Sequence, residues 1–366
     1  MTTKRKEILQ MVEAGKLTVD EALILLDSLD KDPSESSEVK AEDIQNLSTY
    51  VVDKEKKKTG NAYQSPQSSI KDKIFSIVDQ TVKKVKDKDL DFNFGPSVDI
   101  QHIFQQSDVS INDIEIDVSN GGVTFKPWTQ NSVRIECEAS VYKVANQDEA
   151  RQAFLQDVLF SINEGTLRFS VQKKQMKVKS VIYIPEVSYN RVQVRLFNGS
   201  IEGERLTARE IKSKTAHGAI TLTNSKSEGL EVETANGLIH LIDVSAPRCE
   251  VETINGAIRM EGEYEKVNVQ TFNGNVTCRF RGERTEKVFL KTTTGSIEVI
   301  ASPTVFVDGD LKSNLGGLTC QIPNMEIIEE KNETVQKHLR FKANSMKSQG
   351  FKLFAESKTG SILIKN

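Results

Sequence analysis

Glu231, Glu233, Glu250 and Glu252 are the acidic residues whose spacing most invites chemistry. The members of each pair stand two positions apart, and the pairs lie 19 apart. On strands, residues two apart share a face, and a ladder of carboxylates could coordinate a hard cation such as Ca²⁺. The Asp- and Gly-rich loops that such sites use do not accompany them, so they read as a solvated strand face and not as metal ligands. Four histidines, His102, His217, His240 and His338, are scattered. Four cysteines, Cys137, Cys249, Cys278 and Cys320, lie far apart and form no CxxC. They read as small core hydrophobes and not as a disulfide or metal framework. HExxH, GxSxG, the P-loop and GxGxxG are all absent. The expectation is a chain with no catalytic, cofactor-binding or metal-binding residues, and no enzyme. The enzymatic alternative is a β-helix acting on polysaccharides, which needs paired carboxylates across a groove.

The elements that carry these residues follow from a repeat. Gly199, Gly218, Gly237, Gly256, Gly274 and Gly295 recur at spacings of 19, 19, 19, 18 and 21 residues. Apolar residues recur at −7, −5, +2 and +4 from the glycines, with Ser213 and Gly203 as exceptions; in the third copy these are Leu230, Val232, Ile239 and Leu241. That is period-two alternation on both sides of a turn, the pattern of half-buried strands. Position −3 is Leu196 and then Thr215, Thr234, Thr253, Thr271 and Thr292; position −1 is mostly Asn, with His217 in the second copy. Asn-Gly tolerates φ > 0 and suits a tight turn, so the six glycines are expected as structural turns. A hairpin meander and a parallel β-solenoid both fit the turns. The solenoid is preferred because stacked coils require the same residue type at each register position, and a meander gives no reason for five threonines at −3. Alternation points Glu231, Glu233, Glu250, Glu252 and His240 outward, and Cys249 and Cys278 inward.

Fainter copies surround Gly121, Gly165 and Gly360, so the array is expected from about Asp113 to the C-terminus. Gln147–Leu159 interrupts it with helix-compatible composition, and the polar Met325–Gly350 reads as a loop excursion.

Composition narrows the functional classes. The 366 residues carry a net charge of −3, with 28% charged and 6% aromatic residues. This balance argues against a nucleic-acid binder. No run of about 18 apolar residues exists, and the polar Met1–Glu7 does not resemble a signal peptide. The expected compartment is the cytoplasm, with peripheral attachment to the membrane open and surface exposure left open.

Thr3–Leu29 reads as two short helices. Gly15 ends the first, and Thr18 with Glu21 forms a capping box for the second. Leu23, Leu25, Leu26 and Leu29 give that helix an apolar face suited to assembly, either on this chain, on itself or on a partner. Residues 32–69 form a polar linker. Within residues 70–112, Ile70, Ile74, Ile77, Val78 and Val85 recur at helical spacing among Lys71, Lys73, Lys83, Lys84, Lys86 and Lys88. This amphipathic helix could meet an anionic membrane or pack against protein. Leu90–Phe104 is apolar enough to cover an open end of the array.

With these residues in view, the chain resembles a known family. Gly15–Leu29, GKLTVDEALILLDSL, looks like the SHOCT-like helical domain that opens YvlB/LiaX-like proteins of Gram-positive bacteria. Asp91–Gln105, DFNFGPSVDIQHIFQ, looks like the middle of the same proteins, and the repeats from about Asp113 resemble the DUF4097 adhesin-type β-repeat domain. The resemblance implies a mainly β, parallel β-solenoid-like array with an N-terminal helical hairpin. It implies a non-enzymatic scaffold or regulator in the cell-envelope stress response. Its partners would be envelope-stress proteins, or the chain itself through the hairpin. The alternative is a surface adhesin or ligand-binding solenoid.

Overall fold

The computed structural model describes residues 96–366, apart from 334. The helical hairpin, the linker and the Ile70–Val85 stripe lie outside these residues. From the N-terminal side the elements are β1 (Ser97–Ser107), β2 (Asp113–Asn120), β3 (Val123–Trp128), β4 (Ser132–Tyr142), α1 (Gln147–Asp157), β5 (Val158–Asn163), β6 (Thr166–Val171) and β7 (Met176–Pro185). The central part runs through β8 (Ser188–Asn198), β9 (Ile201–Glu204), β10 (Thr207–His217), β11 (Ile220–Thr223), β12 (Lys226–Asn236), β13 (Ile239–Asn255), β14 (Ile258–Asn273), β15 (Val276–Phe280), β16 (Lys287–Thr294) and β17 (Ile297–Ile300). The chain closes with β18 (Phe306–Ser313), β19 (Leu318–Cys320), β20 (Met325–Asn332), β21 (Lys337–Ala343), β22 (Gly350–Ser357) and β23 (Ile362–Lys365).

The fold is a parallel β-solenoid. Val232 of β12 pairs in register with Ser213 of β10 on one side and Val251 of β13 on the other, all strands parallel. Each coil has a long strand, a glycine corner, a short strand and a second corner. The long strands stack into one face and the short strands into another, and their inward residues meet between them. Val232, Val251, Val269 and Leu290 of the long face are fully buried, as are Ile239, Ile258, Val276 and Ile297 of the short face. Removing such side chains from water contributes roughly 1.5–3 kcal/mol each.

Stacking explains the threonines. The hydroxyls of Thr215, Thr234, Thr253, Thr271 and Thr292 donate to the carbonyls of Gly199, Gly218, Gly237, Gly256 and Gly274, each the corner glycine of the preceding coil. The hydroxyl thus satisfies an acceptor where the chain turns away from its ladder. The Asn column at −1 is also linked: Asn255 Nδ2 donates to Asn236 Oδ1 at 2.8 Å, and Asn236 Nδ2 lies 3.2 Å from His217 Nδ1. His217 is therefore a turn residue.

The glycine requirement differs from the expected one. Gly199, Gly218 and Gly295 have φ of 141°, 152° and 146°, but Gly237, Gly256 and Gly274 lie outside the left-handed region. What they share is close approach. A Cβ on Gly237 would stand 2.0 Å from the carbonyl oxygen of Gly218. The left-handed residues of the central coils sit at the second corner instead, at Arg205, Asn224 and Asp243, with φ of 51°, 51° and 52°.

At both ends, chain order and stacking order part. β6 and β7 lie outside β2 and β3, which themselves pair with β8 and β9. At the other end, β22 sits between β16 and β18, and β23 between β17 and β19. Antiparallel strands close the faces: β5 on β6, β4 and then β1 beyond β7, and β21 and then β20 beyond β18. Gly165 is accordingly the turn of the β5–β6 hairpin and not a coil corner. Met325–Gly350 contributes the β20–β21 hairpin in place of the expected loop. α1 forms in the first interruption, capped by the Asn146 side chain, which accepts from the Glu149 N–H at 2.9 Å. Its Phe154 meets Phe104 of β1.

Candidate functional site

The corners are scaffolding. The acidic ladder is the more informative feature, because the solenoid turns it into a surface. Register places Glu231 beside Glu250 and Glu233 beside Glu252 on adjacent rungs of the long face. Like charges directly opposite on a sheet are destabilising unless compensated. On one side Lys212 Nζ reaches Glu231 at 2.8 Å, and Lys214 Nζ reaches Glu231 at 2.6 Å and Glu233 at 3.0 Å. On the other side the Asn268 and Gln270 amides donate to Glu250 and Glu252, each at 3.5 Å.

Alternation points this block outward, yet Glu233 is only 5% exposed and Glu252 only 1%. Burial, together with the adjoining Glu231 carboxyl, raises the pKa of Glu233 against the pull of Lys214. Burial also acts on Glu231, but hydrogen bonds from Glu233, Lys212 and Lys214 outweigh it and hold that carboxyl below its usual range. The pair therefore splits into a charged member and a more readily protonated one.

Beside the acids runs an apolar column at −2. It comprises Phe197, Ala216, Ala235, Ile254 and Phe272, brought into line by the pairing of the flanking residues on each rung. Ala216 and Ala235 are 7% and 8% exposed. The face thus joins an acidic block to a shallow apolar strip, a combination that suits a basic amphipathic partner. Periodicity could find the column, since each of its residues stands two before a corner glycine, but attention to inward positions passes over it.

A second concavity lies where the β4–β7 ribbon leaves the short face. It has a volume of about 720 Å³ and carries Glu136, Glu138, Glu202, Lys174, Lys177 and Lys179. Glu138 and Lys179 are cross-strand partners. This is an open polar depression with both signs of charge. Spacing gave no hint of it, because it is assembled from β4, β7 and two corners distant in the chain.

The remaining expected residues fall as follows. Cys137, Cys249 and Cys278 are buried free thiols and Cys320 is half-buried. Burial pushes Cys137 up to about 12 and raises Cys249 and Cys278 as well, which leaves them poor nucleophiles. His240 is half-buried on the outer surface of the short face. His338 Nε2 lies 2.9 Å from Asp310, and His102 packs against Phe104. No group of three or more His, Cys, Asp or Glu residues is arranged to hold a metal ion among the described residues. Among those residues no helix is long and apolar enough to cross a membrane. Ile70, Ile74, Ile77, Val78 and Val85, and Leu23, Leu25, Leu26 and Leu29, lie outside the described residues.

Comparison with known proteins gives two family matches. Residues 111–349 match the family described as Toastrack DUF4097, and residues 3–34 match a SHOCT-like domain. The uncharacterized protein YvlB of Bacillus subtilis is 42% identical over 365 residues, covering 100% of this chain and 99% of its own. Solved structures with a similar fold include a candidate adhesin from Bacteroides fragilis, 16% identical with a TM-score of 0.40, over 72% of this chain and 97% of the other. Another is a candidate lipid-binding protein from Parabacteroides distasonis, 10% identical with a TM-score of 0.38, over 73% and 96%. At such distances neither name bears on what this chain binds.

Proposed function

We propose, starting from the fact that this chain belongs to the Toastrack DUF4097 family, that it is a non-enzymatic binding scaffold acting in the bacterial cell-envelope stress response. The β-array supplies a rigid recognition surface, and the N-terminal SHOCT-like segment supplies assembly. The observation that carries this reading is the outer long face, where two glutamate pairs are stacked against each other beside an apolar column. Stacked like charges cost stability within a sheet unless compensated, and in this block Lys212 and Lys214 reach the Glu231–Glu233 pair while the Asn268 and Gln270 amides reach Glu250 and Glu252. Surfaces that bear such a cost are characteristic of binding sites. We place the protein on the cytoplasmic side, with reversible attachment to the membrane through its basic stripe.

The test is a deletion in the native host with an envelope-stress reporter, challenged by a membrane-active cationic peptide. The expected result is a several-fold change in reporter output that the full chain restores. A chain carrying Glu250→Lys and Glu252→Lys should be made at normal levels and fail to restore it. Unchanged output in the deletion strain would overturn the envelope role. Degradation of the array by protease added to intact cells would overturn the cytoplasmic placement in favour of a surface adhesin.

A further inference from the structure

We propose that the concavity beside the β4–β7 ribbon binds a phosphorylated amine, with the phosphate on Lys174, Lys177 and Lys179 and the ammonium on Glu138 and Glu202. This surface is separate from the outer long face and from its glutamate block.

Register builds the site. Outward residues fall in rows that cross the strands. One row runs Glu202, Thr124, Val181 and Glu136 over β9, β3, β7 and β4. The next sets Lys179 beside Glu138, and the one after it sets Lys177 beside Ser140. Strands stand about 4.8 Å apart and successive rows about 7 Å apart. Lys174 joins from the turn before β7, which is tied to the coil corner. The Asn120 side chain donates to the Lys174 carbonyl at 2.9 Å, and Asn198 donates to Asn120 at 2.9 Å. Gly121, Gly122 and Gly199 also line the concavity, and their lack of side chains leaves room for a compact ligand.

The charges around it are open. Direct neighbours of opposite sign close into ion pairs at Arg168–Glu115, 3.0 Å, at Lys212–Glu231, 2.8 Å, and at Lys291–Glu356, 3.6 Å. Lys179 and Glu138 are such neighbours and do not close. Among the described residues Lys174, Lys177, Lys179, Glu138 and Glu202 form no ion pair. Glu136, by contrast, is taken by Arg134 at 2.7 Å, and Glu202 accepts a hydrogen bond from Thr124 at 3.5 Å. Open charges of both signs around one concavity of about 720 Å³ select a ligand that carries both signs. A simple anion would meet the glutamates, and a simple cation the lysines.

Chemistry narrows the class. Lysine is a compact point charge that suits a phosphate, whereas a planar carboxylate is matched best by the arginine fork. Three open lysines against two open glutamates leave a surplus of one positive charge. A phosphomonoester carries about −1.5 to −2 at pH 7, and one ammonium brings it near −1. A primary ammonium donates hydrogen bonds to the carboxylates. A quaternary one cannot, and is held instead by an aromatic cage; Tyr142 is the one aromatic ring lining the concavity among the described residues.

The experiment titrates full-length protein with phosphoethanolamine, ethanolamine and phosphocholine by ligand-observed NMR, and with inorganic phosphate by competition. Phosphoethanolamine should bind about tenfold or more tighter than each of the other three. Lys177→Gln with Lys179→Gln should weaken it by about tenfold or more. Glu138→Gln with Glu202→Gln should bring phosphoethanolamine and inorganic phosphate to equal affinity. All four side chains are exposed, so circular dichroism and melting temperature should match the parent. Lys226→Gln with Lys266→Gln, at exposed lysines elsewhere on the array, makes the same change in net charge and should leave affinity unchanged. Equal affinity of the parent for phosphoethanolamine and inorganic phosphate would overturn the proposal. So would full binding by the Lys177 and Lys179 variant, or an equal loss in the Lys226 and Lys266 control. Vesicles of phosphatidylethanolamine in phosphatidylcholine assign the source. Retention on them beside soluble binding identifies a lipid headgroup, and soluble binding alone identifies a free phosphorylated amine.

Discussion

The central coils and the two ends are built from the same parts but assembled by different rules. From β8 to β17, each coil stacks on the one before it in sequence. At the ends, Thr166–Pro185 stacks outside Asp113–Trp128, and Gly350–Lys365 slips between β16–β17 and β18–β19. The inserted coil still obeys the repeat. Ser357 stands where the threonines stand and donates to the Gly295 carbonyl at 2.8 Å, and Ser313 of the following coil donates to Gly360 at 3.0 Å. The repeat residues therefore encode the shape of a coil and the way any coil receives a neighbour. They do not encode which neighbour. Termination uses the opposite device: strands without the corner pattern pair antiparallel and leave edges such as β20, whose Glu329, Glu330 and Lys331 discourage further pairing.

The sharpest break would come from charge in the central core. Ile239 is fully buried, so Ile239→Asp should cost several kcal/mol, about 4 or more, and populate unfolded protein at moderate temperature. His240→Asp, one residue away and half-buried on the other side of the strand, should change stability by less than about 1 kcal/mol. Equal thermal shifts for the two would invert the register.

Next in size is the corner. Because a Cβ on Gly237 would meet the Gly218 carbonyl at 2.0 Å, even Gly237→Ala should cost about 2–3 kcal/mol by denaturant titration. At the C-terminal end, nothing lies within 4 Å of the Cβ position of Gly317, and Gly317→Ala should fall within about 0.5 kcal/mol of the parent. A tolerated Gly237→Ala would mean that the coils do not approach closely in solution.

The hydroxyl ladder tests whether centre and ends share one mechanism. Thr234→Val removes one bond to a glycine carbonyl and should cost about 1 kcal/mol, whereas Ser357→Ala removes two, the donation to Gly295 and the bond accepted from the Gly360 N–H, and should cost about 1–2 kcal/mol. A loss confined to Thr234→Val would show that the inserted coil is held by its apolar contacts alone.

The smallest expected effect is a slope. Glu233 has a folded pKa raised above the ordinary value of 4.5. Between these values the folded state holds a proton that the unfolded state has released. Stability from this group is therefore greatest below 4.5 and falls as pH rises through the raised pKa. Glu231, held low, contributes in the opposite sense at more acidic pH. Glu233→Gln should flatten the decline of melting temperature from about pH 5 upward. An unchanged slope would show that the central face does not hold this carboxyl away from water.

The inside and outside of each coil were legible in the residues alone, since alternation around Gly237 assigns Val232, Ile239 and Val251 inward and Glu231 and Glu233 outward. Also legible were the turns and the threonines, because a stacked array repeats its local demands at a constant interval. Three matters needed the tertiary structure. Why Gly237 must be glycine depends on the carbonyl of another coil and not on its own φ. The order of the end coils depends on which of several equivalent surfaces a distant segment reaches, and periodic residues look alike to every candidate neighbour. The meaning of Glu233 and Glu252 depends on burial of a face that alternation labels as solvent-facing. Period-two patterning reports only the direction of a side chain from its strand. It carries no information about what lies over that side chain, which contacts distant in sequence decide.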